Sequence, residues 1–302
     1  MSKFAIPRGL HSIIQFVKNN PYPSKEDIIY HLEDKDLSVS SRTLDRYLAS
    51  IRADLGVAIT HSKANNGYFI DEENSVRVES FFRYLELVEI ADIFSKSLMD
   101  SNEILEYVSF DDSRNFKGIE NLKAILIAIK ENKQLTFQHH NFSRDSQREY
   151  NITPLLLKEY LNRWYVIGAF EKDEIRTFGI DRISDLKVGK QSKFKREHFK
   201  DSLAKFNHTV GLTYLDSEPE KVVLLVDELH VKYMQTLPLH NSQIIYPKDE
   251  NSQHKVEFFV YPNYEFKTQI LKIGAEVEVL EPLYLRQEIR EILELSLKKY
   301  TL

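Results

Sequence analysis

The stretch Arg163-Trp164-Tyr165-Val166-Ile167-Gly168-Ala169-Phe170, followed at once by Ile175-Arg176-Thr177-Phe178-Gly179-Ile180-Asp181-Arg182-Ile183, sets the architecture of the middle of this chain. Side chains alternate across a strand, so Arg163, Tyr165 and Ile167 share one face and Trp164 and Val166 the other. In the second run Arg176, Phe178 and Ile180 share a face, Thr177 and Asp181 oppose it, and Arg182 returns to the Arg176 side. Upstream, Gln134–His139 and Arg148–Leu157 have the same character, and Leu186–Lys190 follows. Five short strands bounded by turn chemistry predict a small barrel. Leu122, Ile125, Leu126 and Ile129 put an amphipathic helix just before it.

Toward the N-terminus the period changes from two to 3.6. Leu10, Ile13, Ile14 and Val17 line one face of a helix over Pro7–Asn19, which Pro21 and Pro23 end. Ser24 caps a second helix, with Asp27 three residues on completing a capping box. Ser40 caps a third, whose buried stripe is Leu44, Tyr47, Leu48 and Ile51, and Gly56 lies just past its end. A hairpin follows, with Asn66-Gly67 as its turn signal. Three helices and a hairpin predict a winged helix-turn-helix over 1–72. Its third helix presents Ser41, Arg42, Thr43, Asp45 and Arg46 outward, short hydroxyl donors and long guanidinium arms suited to phosphates and base edges.

Residues 73–118 are acidic and rich in apolar residues, and predict a helical connector. Toward the C-terminus, strand, helix, two strands, helix, strand and helix over 201–302 predict a ferredoxin-like βαββαβα domain. The expected fold class is therefore α+β and multidomain: winged helix 1–72, connector 73–118, barrel 119–200 and C-terminal domain 201–302.

Composition narrows the function. The 302 residues contain no cysteine, which excludes disulfides and thiolate chemistry. No apolar run is long enough to span a membrane and the start has no secretory h-region, so a cytoplasmic location is expected. The formal net charge of −5 is unevenly spread: residues 121–200 carry 16 basic against 10 acidic side chains, while 71–120 carry 5 against 13. A positive middle block marks a candidate anion site. His139 and His140 are adjacent on a strand and point to opposite faces, and no third ligand accompanies them, so no metal is expected. There is no phosphate-cradling glycine loop and no well-spaced carboxylate pair, so neither catalysis nor a cofactor is expected.

Two family resemblances sharpen this. Val39-Ser40-Ser41-Arg42-Thr43-Leu44-Asp45-Arg46-Tyr47-Leu48, with Gly56 and Gly67-Tyr68-Phe69-Ile70, resembles the winged helices of DeoR-like regulators, although Tyr47 stands where an acidic residue is common. Phe137-Gln138-His139, Thr153-Pro154-Leu155, the Arg163–Gly168 run and the Arg176–Ile183 run resemble a WYL domain, with Val166 in the third position of the family's triplet and His139 where Tyr is frequent. The C-terminal hundred residues are similar to the extension, of WCX type, that follows such domains.

The resemblance implies an Sm-like barrel that binds a negatively charged ligand: a nucleotide, an oligonucleotide or a single-stranded nucleic acid. Arg163, Tyr165, Arg176 and Arg182 are the expected anion contacts, with Phe178 and His139 beside them. Guanidinium forks suit phosphate and aromatic faces suit bases. Ser40, Ser41, Arg42, Thr43, Arg46, Tyr47, Lys63 and Asn65 are the expected DNA contacts. The function implied is a homodimeric transcription regulator whose operator affinity the ligand controls, of a kind associated with phage defence and DNA-damage responses. The alternative is a nucleic-acid accessory or RNA-binding protein without operator-specific binding.

Overall fold

The computed structural model describes residues 8–72, 74–75, 82–83, 86–87, 117–171, 174–213 and 217–300. The predicted connector over 73–118 therefore lies almost wholly outside the described residues. The chain divides into two compact units, 1–110 and 111–302. Among the described residues the architecture is mixed α and β with three separate sheets. Among the described residues no helix is long and apolar enough to cross a membrane.

The first unit opens with α1 (Arg8–Asn19), α2 (Lys25–Glu33) and α3 (Ser41–Ser50). Leu10, Ile13, Ile14 and Val17 of α1 are buried with Ile28, Leu32, Leu44 and Ile51 in one core. The Ser24 hydroxyl accepts from the Asp27 amide at 3.1 Å, and the Asp27 carboxylate accepts from the Ser24 amide at 2.8 Å, so the capping box is complete. Those two bonds hold the Asp27 carboxyl below its ordinary range. The Ser40 hydroxyl accepts from the Thr43 amide at 3.2 Å and starts α3. The helix continues as a π turn over Ile51–Leu55 and stops at Gly56, which takes a left-handed φ of 70°.

Strands β1 (Ile59–Ser62) and β2 (Gly67–Ile70) pair antiparallel, Ser62 opposite Gly67. Here the basis of the hairpin differs from the Asn-Gly expectation. Asn66, at φ 48°, is the left-handed residue, and Gly67 is already in the strand. A Cβ on Gly67 would lie 2.0 Å from the Tyr22 carbonyl oxygen. Glycine is required there by the close approach of the α1–α2 loop, and the Tyr68 amide bonds the Pro23 carbonyl at 2.8 Å beside it.

The second unit begins with α4 (Leu122–Lys130), then β3 (Lys133–Asn141), β4 (Ser146–Tyr160), β5 (Arg163–Glu171), β6 (Glu174–Gly179) and β7 (Ile183–Gln191). The strand order is β6-β5-β4-β3-β7, antiparallel throughout. The 15-residue β4 changes partner midway: Ile152 pairs with Leu135 of β3, and Thr153 with Ala169 of β5. The closed barrel expected from the sequence is not seen, because among the described residues no ladder joins β6 to β7. The strand expected over Ile175–Ile183 stops at Gly179, and a 3-10 turn over Ile180–Arg182 interrupts the alternation.

Around β5 both faces of this sheet are buried. Val166 packs with Ile125, Phe137 and Phe178, and Trp164 lies partly buried against them. Its neighbour Ile167 packs instead with Leu155, Ala169, Phe199, Leu203 and Phe206. Leu203 belongs to α5 (Lys200–Lys205), a short helix that covers this second face.

The remaining elements are β8 (Glu220–Asp227), α6 (Glu228–Thr236), β9 (Ile244–Lys248), β10 (Gln253–Val260), α7 (Tyr264–Ile273), β11 (Val277–Glu281) and α8 (Leu283–Lys298). The antiparallel sheet order is β11-β8-β10-β9. Val222, Leu224 and Val226 of β8 alternate into a core shared with Phe266 and Ile270 of α7 and with Leu285 and Ile289 of α8.

Candidate nucleic-acid and ligand sites

On α3 the buried side holds Leu44 at full burial, and Tyr47 and Leu48 partly buried. Ser40, Ser41, Arg42 and Arg46 are exposed and Thr43 half-exposed, its hydroxyl 3.0 Å from that of Ser40. Asp45, on the same outward side, is paired at 2.7 Å with Lys25 of α2. This ties the helix to its neighbour and leaves the two arginines as the cations of the face. Tyr47 is not on that face. Its ring packs on the helical core, where a Cβ on Gly9 would meet it at 3.2 Å, and Arg46 lies 5.9 Å from the ring centre. Lys63 and Asn65 are exposed at the hairpin turn, with the Asn65 amide and side chain both bonded to the Ser62 hydroxyl.

In the second unit the expected ligand residues separate into two neighbouring cavities and a bridging cluster. An open cavity of about 360 Å³ is lined by His139, Tyr150, Arg176, Phe178 and Leu212. His139 is only 9% exposed, and its Nε2 is buried with no hydrogen-bond partner. Burial pushes its imidazole down to about 4, and the nearby Arg182 pushes in the same direction. The ring is therefore neutral at physiological pH and offers an unused polar atom. Phe178 stands edge-on to His139 at 5.3 Å and to Tyr150 at 4.9 Å. Arg176 lies over the Phe170 ring at 5.0 Å, and Arg148 over Tyr150 at 5.4 Å.

A second cavity of about 380 Å³ is lined by His140, Phe142, Asp145, Asp181 and Arg182. The adjacent histidines thus serve different cavities, as strand alternation requires. Arg182 lies over the Phe142 ring at 5.0 Å, and that ring is 63% exposed. His140 bonds Asp145 at 2.9 Å.

Asp181 links the remaining residues. Its two oxygens stand 3.8 Å from Arg163 Nη1 and 3.8 Å from Arg182 Nε. Tyr165 lies in the same field: burial raises its hydroxyl pKa, while Arg163 pulls it down. Arg176 is held by Glu174, which accepts from its Nε at 2.7 Å and from Nη2 as well. All three arginines therefore have carboxylate neighbours within the protein.

Four contributors were not among the residues expected from the sequence. Tyr150, two residues from Arg148 on one strand face, carried a period-2 signal that could have marked it. Phe142 sits in a hairpin, where alternation says nothing. Leu212 and Glu265 meet the site from 35 or more positions away. The Thr177 hydroxyl donates to the Leu212 carbonyl at 3.3 Å, and the Leu212 amide donates to Glu265 of α7 at 3.3 Å. The cavity wall is thereby tied to the C-terminal sheet domain.

The WYL domain model matches residues 120–188 and the WCX domain model residues 218–296. No curated protein matches the chain. Among solved structures the chain is similar to proteasome accessory factor B/C (PafBC) of Arthrobacter aurescens, at 14% identity and a TM-score of 0.26, covering 93% of this chain and 45% of that one. It is also similar to a CRISPR Cas-related protein, at 18% identity and a TM-score of 0.26, covering 61% of this chain and 53% of that one. The chain thus spans about half the length of these two structures. The chain therefore carries a WYL domain followed by a WCX domain.

Proposed function

We propose that this protein is a DNA-binding transcription regulator controlled by an anionic ligand at its WYL domain. The observation that carries the proposal is α3. It is fixed on one side by a buried stripe and by the Lys25–Asp45 pair, and it presents Ser41, Arg42 and Arg46 to solvent beside a two-stranded hairpin. That is the arrangement a winged helix uses to enter the major groove. Two copies are needed to read a two-half-site operator, so the working form is a homodimer in the cytoplasm.

In this reading the five-stranded sheet is the ligand-binding part, and its two cavities receive the phosphates and bases of a nucleotide or single strand. The C-terminal domain, ferredoxin-like in its connectivity, takes up the signal through Leu212 and Glu265. Coupling of this kind changes operator affinity by about 5- to 150-fold. The protein performs no catalysis in this scheme.

Selection of duplex DNA from a random pool, read by sequencing with and without added single-stranded oligonucleotide, tests the proposal. An enriched inverted repeat whose recovery changes with oligonucleotide, and is lost when Arg42 and Arg46 are both replaced by Ala, is the expected result. Tight single-strand binding with no enriched duplex motif would overturn it in favour of an accessory or RNA-binding role.

A further inference from the structure

Asp181 and Glu174 occupy the cationic groups of the ligand site. Asp181 is 18% exposed and lies between two guanidinium groups, one facing each of its oxygens at 3.8 Å. At that distance it neutralises Arg163 and Arg182 without a hydrogen bond to either. Glu174 takes the Nε and Nη2 edge of Arg176, the edge a phosphate would otherwise use.

The backbone is shaped to allow the first of these contacts. A Cβ at Gly179 would come within 2.6 Å of Asp181 Oδ1 and 3.0 Å of Arg182 Nε and Nη2. The missing side chain at 179 lets the carboxylate and guanidinium fold back over the end of β6.

We propose that Asp181 and Glu174 are internal stand-ins for ligand phosphates, which set the affinity of the site and which an incoming polyanion displaces. The inference rests on the ligand site proposed above. A lone monoanion exchanging with one carboxylate gains little, because it replaces one negative charge by another. A chain of phosphates meets the arginines of both cavities together. Its gain over the two internal carboxylates is the sum of several contacts. The carboxylates therefore act as a threshold against small anions.

The test is binding of a fluorescent 12-mer of deoxythymidylate to the full chain, followed by anisotropy over a range of salt, for wild type, Asp181→Asn and Glu174→Gln. Removing one negative charge beside the arginines should tighten binding several-fold, up to about ten-fold. The dependence of log affinity on log salt should steepen by about 0.7 for each phosphate newly neutralised. Glu174 is exposed on an edge strand, so its variant reports even where Asp181→Asn fails to fold.

Binding by a variant where wild type shows none also supports the inference. Wild-type binding with unchanged or weaker affinity in the folded variants overturns it and leaves the ligand site standing. No binding by any of the three proteins overturns both.

Discussion

Tyr160, the last residue of β4, accepts a hydrogen bond at 3.1 Å from Gln269 on α7, across 109 positions of chain. Together with Glu265 and Leu212 it joins the five-stranded sheet to the C-terminal domain. The two sheets are thus linked through specific polar bonds that local sequence does not encode.

Glu265 is the most consequential of these. One oxygen accepts from the Leu212 amide, and the other is buried without a partner. Its side chain also fills the space beside Gly211, which sits at a left-handed φ of 78°. Glu265→Ala leaves the Leu212 amide unsatisfied and should destabilise the second unit by about 1–3 kcal/mol. Glu265→Gln keeps one acceptor and should have the smaller effect. Urea unfolding followed by tryptophan fluorescence, reporting on Trp164, measures both. Equal losses for the two variants would contradict this role.

His139 makes stability depend on pH in a defined direction. Its folded pKa of about 4 lies below the unfolded value of about 6.5, so the unfolded chain binds the proton more readily between these values. Stability is full above about 6.5 and falls as pH drops toward 4. His240, also lowered to about 4 by burial, acts in the same sense. His139→Leu should flatten the fall in melting temperature between pH 7 and pH 5, by an amount equivalent to about 1–3 kcal/mol. An unchanged pH dependence in that variant would show that other groups carry it.

Ser40 combines a structural and a functional place. Its hydroxyl caps α3, and removing such a cap costs about 0.5–2 kcal/mol. Ser40→Ala should lower the melting temperature of the first unit, whereas Arg42→Ala should leave it nearly unchanged and weaken duplex binding. The salt slope of duplex binding should fall by about one for each phosphate contact that Arg42→Ala or Arg46→Ala removes. Calorimetry and salt titration separate the two effects.

Gly67 should tolerate no side chain. With a Cβ placed 2.0 Å from the Tyr22 carbonyl, Gly67→Ala must separate the hairpin from the α1–α2 loop. A loss at the upper end of the usual 0.5–3 kcal/mol, or beyond, is expected at about that scale. A variant as stable as wild type would mean that the loop relaxes freely.

Much of this protein was legible before its structure. The strand, helix, two strands, helix, strand and helix expected over 201–302 are found in that order. The caps at Ser24 and Ser40 and the stop at Gly56 are also where expected, because all depend on residues within one turn of each other. The WYL domain was recognisable from motifs in fixed order, and the WCX domain from the element order that follows it. Less legible were features decided at a distance. Alternation placed Arg182 beside Arg176, but the 3-10 turn at 180–182 sends it to the other cavity. Tyr47 was expected both in the buried stripe of α3 and among the DNA contacts, and its ring takes the first of these places, close to Gly9 of α1.

The sequence by itself determined the elements and the residue types that could meet an anion, since hydrophobic period, capping and turn chemistry act over a few residues. Only the tertiary structure decided which arginine serves which cavity. It also set the carboxylates at Asp181 and Glu174 beside them, and joined Leu212 to Thr177 and Glu265. Those relationships depend on how β3, β6 and α7 pack together, and packing brings together residues that no local pattern relates.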